Sequence, residues 1–309
     1  MEHWVKWVAL ACMVGGCLLV DLGLFHRHER TMKVKKALAL SCFWIAISLV
    51  FNLWILIDRS PKEALQFFTG YLLEKSLSID NLFVFSMLFA YFKVPKLAQY
   101  RVLYFGIIGA IVMRLCLIWA GVSLVSRFEW LLYILGVFLA YTGLHMMLQK
   151  DRQLHPEESL ILRMTRKFIP MTHEYEGKRF FTKKNGAWVA TPLLIALVAI
   201  ETTDLIFALD SIPAIFAITL DPFIVFSSNI FAILGLRSLY FVLAHMVDRF
   251  IYLKQGIAII LILIGCKMAL GIFYEAPTAV LLCLIAFILG GSVWLSLRHK
   301  KPHPKNKEE

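Results

Sequence analysis

Residues Ile200–Phe216 read IETTDLIFALDSIPAIF, and this stretch decides what kind of fold the chain can adopt. It sets Glu201, Asp204 and Asp210 inside an otherwise apolar run. A charged side chain at the centre of a membrane helix costs about 2.5–3.5 kcal/mol on insertion scales, so three in one span need a use. Pairing between helices is one use and passage of an ion is another.

The composition places that run in lipid. A chain of 309 residues that is 60% hydrophobic and 17% charged, with mean hydropathy +0.73, has too little polar surface for a water-soluble globule. We read it as all-α, a polytopic membrane protein forming a single transmembrane domain over 1–309. Apolar runs at about 5–24, 37–57, 64–92, 102–125, 130–149, 190–219, 223–245, 255–274 and 277–297 predict about nine transmembrane helices.

The net charge of +11 is explained by where the bases lie. The alternate segments 26–36, 93–101, 150–189, 246–254 and the tail after 297 hold 5, 3, 9, 2 and 5 Lys and Arg, whereas the intervening segments hold only Lys6, Arg59, Lys62 and Arg127. The positive-inside rule then puts the N-terminus outside and the C-terminus in the cytoplasm. The bases meet anionic lipid, and no nucleic-acid partner is expected. The first run has Lys6 before it and its larger basic cluster after it, which predicts a retained helix rather than a cleaved signal. Asp21, near its inner end, reads as an interfacial acid answering that cluster.

The 150–189 segment is the one long polar loop, expected to be cytoplasmic and a docking place for a soluble partner. Within it, 160–169 has the pattern of a basic amphipathic helix on the inner leaflet. The tail 298–309 is expected to be disordered. The six cysteines, Cys12, Cys17, Cys42, Cys116, Cys266 and Cys283, fall in predicted spans and read as buried small apolar residues, with no disulfide expected.

Self-comparison reveals an internal repeat. EKSLSIDN (Glu74–Asn81) aligns with DLIFALDS (Asp204–Ser211), and FGIIGAIVMR (Phe105–Arg114) aligns with SNIFAILGLR (Ser228–Arg237). Under the loop-charge topology the two copies run in opposite directions, the pattern of inverted-repeat transporters. The predicted division is 3+3, with 64–149 as the first repeat and 190–274 as the second. Glu74 and Asp80, like Asp204 and Asp210, are six residues apart and so about 120° apart on a straight helix. We therefore expect unwound or kinked helices to gather them.

The candidate metal ligands are Glu74, Asp80, Glu201, Asp204 and Asp210, with Asn81, Ser211, Arg114, Arg237 and Lys75 in support. Helix pairing alone sets five acids against three bases, a formal excess of minus two that suits one divalent cation or two protons. Carboxylate, amide and hydroxyl oxygens are hard donors that favour Mn²⁺, Mg²⁺ or Ca²⁺. His145 and His245, near inner span ends, read as interfacial. Asn52, Ser78, Thr202, Thr203 and Asn229 read as helix-to-helix hydrogen bonds. No nucleotide loop, nucleophile elbow or HExxH zinc site is present, so neither an enzyme nor a single-chain ATP-driven pump is expected.

At FFTGYLLEKSLSIDNLFVF (Phe67–Phe85), ETTDLIFALDSIPAIFAIT (Glu201–Thr219) and SNIFAILGLRSLYF (Ser228–Phe241) the chain resembles the TerC family of bacterial integral membrane proteins, in its Alx-like subgroup. That family is similar to the LysE-type exporters. The resemblance implies manganese(II) efflux across the bacterial inner membrane, with the five acids as ion ligands, Mn²⁺ as substrate and no prosthetic group. Calcium transport, and a membrane partner role in tellurium stress or in metallation of exported proteins, are the alternatives. Tyr71 stands in the first repeat where Glu201 stands in the second, so the role of Glu201 is the open asymmetry.

Overall fold

In a computed structural model of the chain, residues 2–26, 34–148, 172, 174–184, 187–243, 252–271 and 277–298 are described, with the side chains of 2, 3, 22–26, 80, 184, 187 and 297 outside that set. The elements are α1 (Glu2–His26), α2 (Val34–Asp58), α3 (Pro61–Tyr91), α4 (Lys96–Arg127), α5 (Leu131–Leu148), β1 (Phe181–Lys184), β2 (Ala187–Ala190), α6 (Pro192–Phe216), α7 (Pro222–Ile233), α8 (Leu236–Leu243), α9 (Leu253–Ala269) and α10 (Thr278–Arg298). Among the described residues six helices are long and apolar enough to cross a membrane, and the pair α7–α8, bent by 43°, makes a seventh if read as one span. Helix α3, at 31 residues, is about 46 Å long, yet Glu74, Lys75 and Asp80 interrupt its apolar run. Helix α9 is 17 residues long and apolar.

Three helices begin with a polar cap followed by proline, which fixes where each chain segment turns. Ser60 caps α3 by accepting from the Glu63 N–H, and its hydroxyl donates to Glu63 Oε1 at 3.3 Å. Thr191 caps α6 through the Leu193 N–H, and Asp221 caps α7 through the Phe223 and Ile224 N–H groups. Arg59 ties two of these starts together, with Nη1 2.8 Å from both Glu63 Oε2 and Asp221 Oδ2 and its guanidinium over the Phe223 ring. Burial opposes the Arg59 charge, but the Glu63 and Asp221 carboxylates more than offset this, so its pKa stands above the ordinary value. Helices α3 and α7 therefore start at one end of the bundle.

The start of α6 lies at the other end. Tyr175 Oη donates to the Phe92 carbonyl at the α3–α4 turn, Arg101 at the start of α4 donates to the Lys178 carbonyl, and Thr191 Oγ1 donates to the Arg179 carbonyl. Gln66 near the start of α3 meets the Ile218 carbonyl just past the end of α6, so α3 and α6 run antiparallel. Packing is crosswise: α3 lies on α7, α4 on α6, and α5 on α9.

The α5–α9 seam is built on glycine. A Cβ on Gly265 would lie 2.4 Å from Ala140 N, one on Gly136 2.6 Å from Ala269 N, and one on Gly143 2.7 Å from Ala258 O. Backbones in direct contact are the means by which helices associate where lipid supplies no hydrophobic drive.

Two sequence expectations are corrected. Within 150–189, whose composition marks only a polar loop, strands β1 and β2 pair antiparallel as a hairpin with Lys184 opposite Ala187. Its signal was Asn185-Gly186 between FTKK and AWVA. The cysteines are free, and they are not buried: Cys12, Cys42, Cys116, Cys266 and Cys283 are exposed on the helix surfaces. A small apolar side chain on a lipid-facing stripe is solvated by acyl chains and has no need of the protein core. The expected 160–169 helix, His245 and the tail beyond Arg298 lie outside the described residues.

We expect Gly265→Val to lower the thermal unfolding midpoint of the detergent-purified protein by the equivalent of about 1–3 kcal/mol, the ordinary cost of overpacking. Gly290→Val, where a Cβ meets nothing within 4 Å, should leave it unchanged.

Candidate functional site

Helices α3, α4, α6 and α7 meet at one buried guanidinium. Arg114 of α4 is 1% exposed, and it binds Glu74 of α3, 0% exposed, through a short charge-assisted contact from Nη1. The same Nη1 lies 2.5 Å from Asn229 Oδ1 of α7, while Nη2 is 3.3 Å from Asp204 Oδ1 of α6. Asn229 Nδ2 closes the ring at 3.5 Å from Glu74 Oε2, the long edge of the network. One base thus takes an acid from each repeated motif.

The network is not filled. Asp204 Oδ2 is buried with no hydrogen-bond partner, and Asp204 lines a cavity of about 20 Å³ together with Gly106, Ala110, Ile200 and Arg237. That volume admits about one water-sized species. An anionic oxygen facing low dielectric without a donor is costly, and a cation or a polar guest in the cavity would relieve that cost.

The other candidate residues are more dispersed. Glu201 is half-buried and its carboxylate rests on α4, with Oε1 2.1 Å from where a Cβ on Gly109 would be. Gly109 therefore makes the room that Glu201 occupies. Asp210 is half-buried, six residues beyond Asp204 on a helix that stays continuous through Pro213. Helix α6 is not unwound near its acids: it runs unbroken from Pro192 to Phe216, and Pro213, in the last turn, removes only one helix donor before the helix is capped at Ala217. The interruption falls instead between α7 and α8, at Leu234–Gly235, where Gly235 has φ +80°.

Asp80 lies on α3, and its side chain is outside the described set. Asn81 and Ser211 are both buried, and Ser211 Oγ has no hydrogen-bond partner. Among the described residues no three His, Cys, Asp or Glu side chains form a ready metal cage.

The remaining bases are engaged elsewhere. Lys75 Nζ donates to the Ala232 and Leu234 carbonyls at 2.9 and 3.3 Å. Arg237 binds Asp21 of α1, with Nη2 2.6 Å from Oδ2 and 2.8 Å from the backbone oxygen. Asp21 is thus a buried partner, 3% exposed, and not the interfacial acid expected. The tertiary contact prevails because a guanidinium at this depth is a stronger partner than hydrated lysines at the surface. Asn229, Gly109 and Asp21 are the residues that sequence reasoning undervalued. Their signals were the alignment of Asn229 with Gly106, and an aspartate placed inside the first apolar run.

A helical membrane protein with a buried, charged, oxygen-rich centre shared by two repeated motifs is the class these features define. The model of the integral membrane protein TerC family matches residues 59–303, and the chain belongs to that family. It is 47% identical over 298 residues, 96% of this chain and 93% of the relative, to the "Uncharacterized membrane protein STKORF319" of Myxococcus xanthus. It is 45% identical over 308 residues, 96% of each, to a protein of Escherichia coli K12 named "Putative membrane-bound redox modulator Alx". A Salmonella typhi protein of the same name is 47% identical over 292 residues, 92% of this chain and 91% of the relative. No solved structure matches the chain.

Arg114→Ala should destabilise the purified protein by about 3–5 kcal/mol, the cost of leaving a buried charge uncompensated. The double variant Arg114→Met, Glu74→Gln should recover part of that loss in thermal unfolding, because it removes both charges together.

Proposed function

We propose that the chain is a secondary transporter that exports Mn²⁺ across the bacterial inner membrane, exchanging it for protons. The observation that carries this reading is the donor set on Arg114: two carboxylates and one amide oxygen, drawn from α3, α6 and α7, converge on one cation inside the bundle. Hard oxygens in that arrangement suit a divalent ion such as Mn²⁺. Arg114 and substrate compete for these oxygens, so loading requires the guanidinium to withdraw from Glu74 and Asp204. The unpartnered Asp204 Oδ2 and its one-water cavity provide the first contact for an arriving ion.

The crosswise packing of α3 on α7 and α4 on α6, with α3 and α6 antiparallel, supports a 3+3 inverted repeat over 64–149 and 190–274. In such transporters the substrate site sits at the repeat interface and the halves rock about it. Nine spans, with the N-terminus outside and the C-terminus in the cytoplasm, complete the topology we propose; α3 and α9 supply the spans beyond the apolar seven. Glu201, Asp80 and Asp210 join the ion path as the helices shift.

Purified protein in proteoliposomes should carry Mn²⁺ with opposite movement of protons, followed by a metal-quenched dye and a pH dye. Glu74→Gln and Asp204→Asn should each slow the initial rate at least about tenfold while the protein stays folded; normal rates in both would sink the reading. Gly109→Ala should slow transport without loss of thermal stability, since its new methyl group displaces only the flexible end of Glu201. A Ca²⁺ competition run under the same conditions ranks the two ions.

A further inference from the structure

The break between α7 and α8 is a built feature whose purpose the Mn²⁺ pathway does not supply. Gly235 holds φ +80°, in the left-handed region, and a Cβ there would lie 2.7 Å from two atoms of the Trp44 side chain. Ser238 Oγ donates to the Gly235 carbonyl at 2.7 Å, and Ser41 Oγ donates to Ser238 Oγ at 3.0 Å. Trp44 and Ser41, both buried on α2, thus fix the break from one side.

On the α3 side, the carbonyls of Ala232 and Leu234 point at a single nitrogen, Lys75 Nζ. Carbonyls freed at a helix break inside a membrane protein are the usual ligands of a small monovalent cation. Left bare among apolar groups they would be costly, and here an ammonium covers them. Lysine is a compact point charge with three donors, of which two are used at this break. A third oxygen lies close in sequence: Ser78, three residues on and on the same face of α3, is 0% exposed and its Oγ has no hydrogen-bond partner.

We propose that the α7–α8 break is a monovalent-cation site that the chain fills from within, the ammonium of Lys75 standing where a sodium-sized ion would otherwise bind. The tether holds this nitrogen at the break, so the position needs no ion from solution. Lys75 also follows Glu74 directly, so any shift of α3 that alters the Glu74–Arg114 contact also pulls on the break. The proposal does not rest on Mn²⁺ being the substrate, and its test reads binding rather than flux.

The test is the thermal unfolding of full-length Lys75→Ala in detergent, in sodium, lithium, potassium or choline chloride at equal ionic strength. The wild-type midpoint should be the same in all four salts. The variant should unfold earlier in choline and regain on the order of 3 °C in sodium, with a saturable concentration dependence. Lys75→Arg, which keeps a charge, should be indifferent to the salt. A Lys75→Ala midpoint equal in sodium, lithium, potassium and choline overturns the proposal. If Lys75→Ala is not recovered folded in choline, the yield becomes the readout: recovery in sodium supports the site, and equal loss in both salts, with Lys75→Arg folded, counts against it.

Discussion

The architecture depends on one guanidinium that has no water to turn to. Arg114 is held by Glu74, Asp204 and Asn229, so α3, α6 and α7 are all committed to positions within hydrogen-bond reach of α4. Apolar helices in lipid gain little from one another beyond close packing, and many mutual arrangements would serve. A buried ionic centre narrows that choice, because each misplaced partner leaves a charge uncompensated in low dielectric. The small residues around it fit this constraint: Gly109 admits Glu201 against α4, and Gly70 leaves room for Ser228 of α7 against α3.

A second consequence is asymmetry between two motifs that look equivalent in sequence. Arg114 and Arg237 align, yet Arg114 collects an acid from each motif and Arg237 binds Asp21 on α1. Helix α4 is continuous over 32 residues, whereas its counterpart is divided into α7 and α8. The chain thus places its charge-dense contact on the unbroken helix and its freed carbonyls, covered by Lys75, on the broken one. Helix α1, which carries neither of the aligned motifs, becomes part of the charged interior through Asp21.

Much of this was legible in the residues themselves. Hydropathy located the helices, Ser60-Pro61, Thr191-Pro192 and Asp221-Pro222 stand at three starts, and the five aligned or neighbouring acids include Glu74 and Asp204, which both meet Arg114. Periodicity could not say which base each acid would meet, because that depends on helix rotation and tilt set by packing at distant residues such as Gly265. It misplaced the helix interruption as well: unwinding was expected at the paired acids of α3 and α6, while the break is at Gly235, where Trp44 leaves space for a hydrogen atom and nothing larger. The cysteines show the same limit from the other side, since apolar character in a span does not distinguish a residue facing protein from one facing lipid.

The glycine seam between α5 and α9 bears on how the bundle can deform. At Gly136, Gly143 and Gly265 one backbone touches another, with no long side chain between them to swing or repack. Such a contact resists shear but tolerates a small rotation about the line of closest approach. The pair therefore has the form of a pivot, and α6, which carries Glu201, Asp204 and Asp210, packs directly against its α5 side.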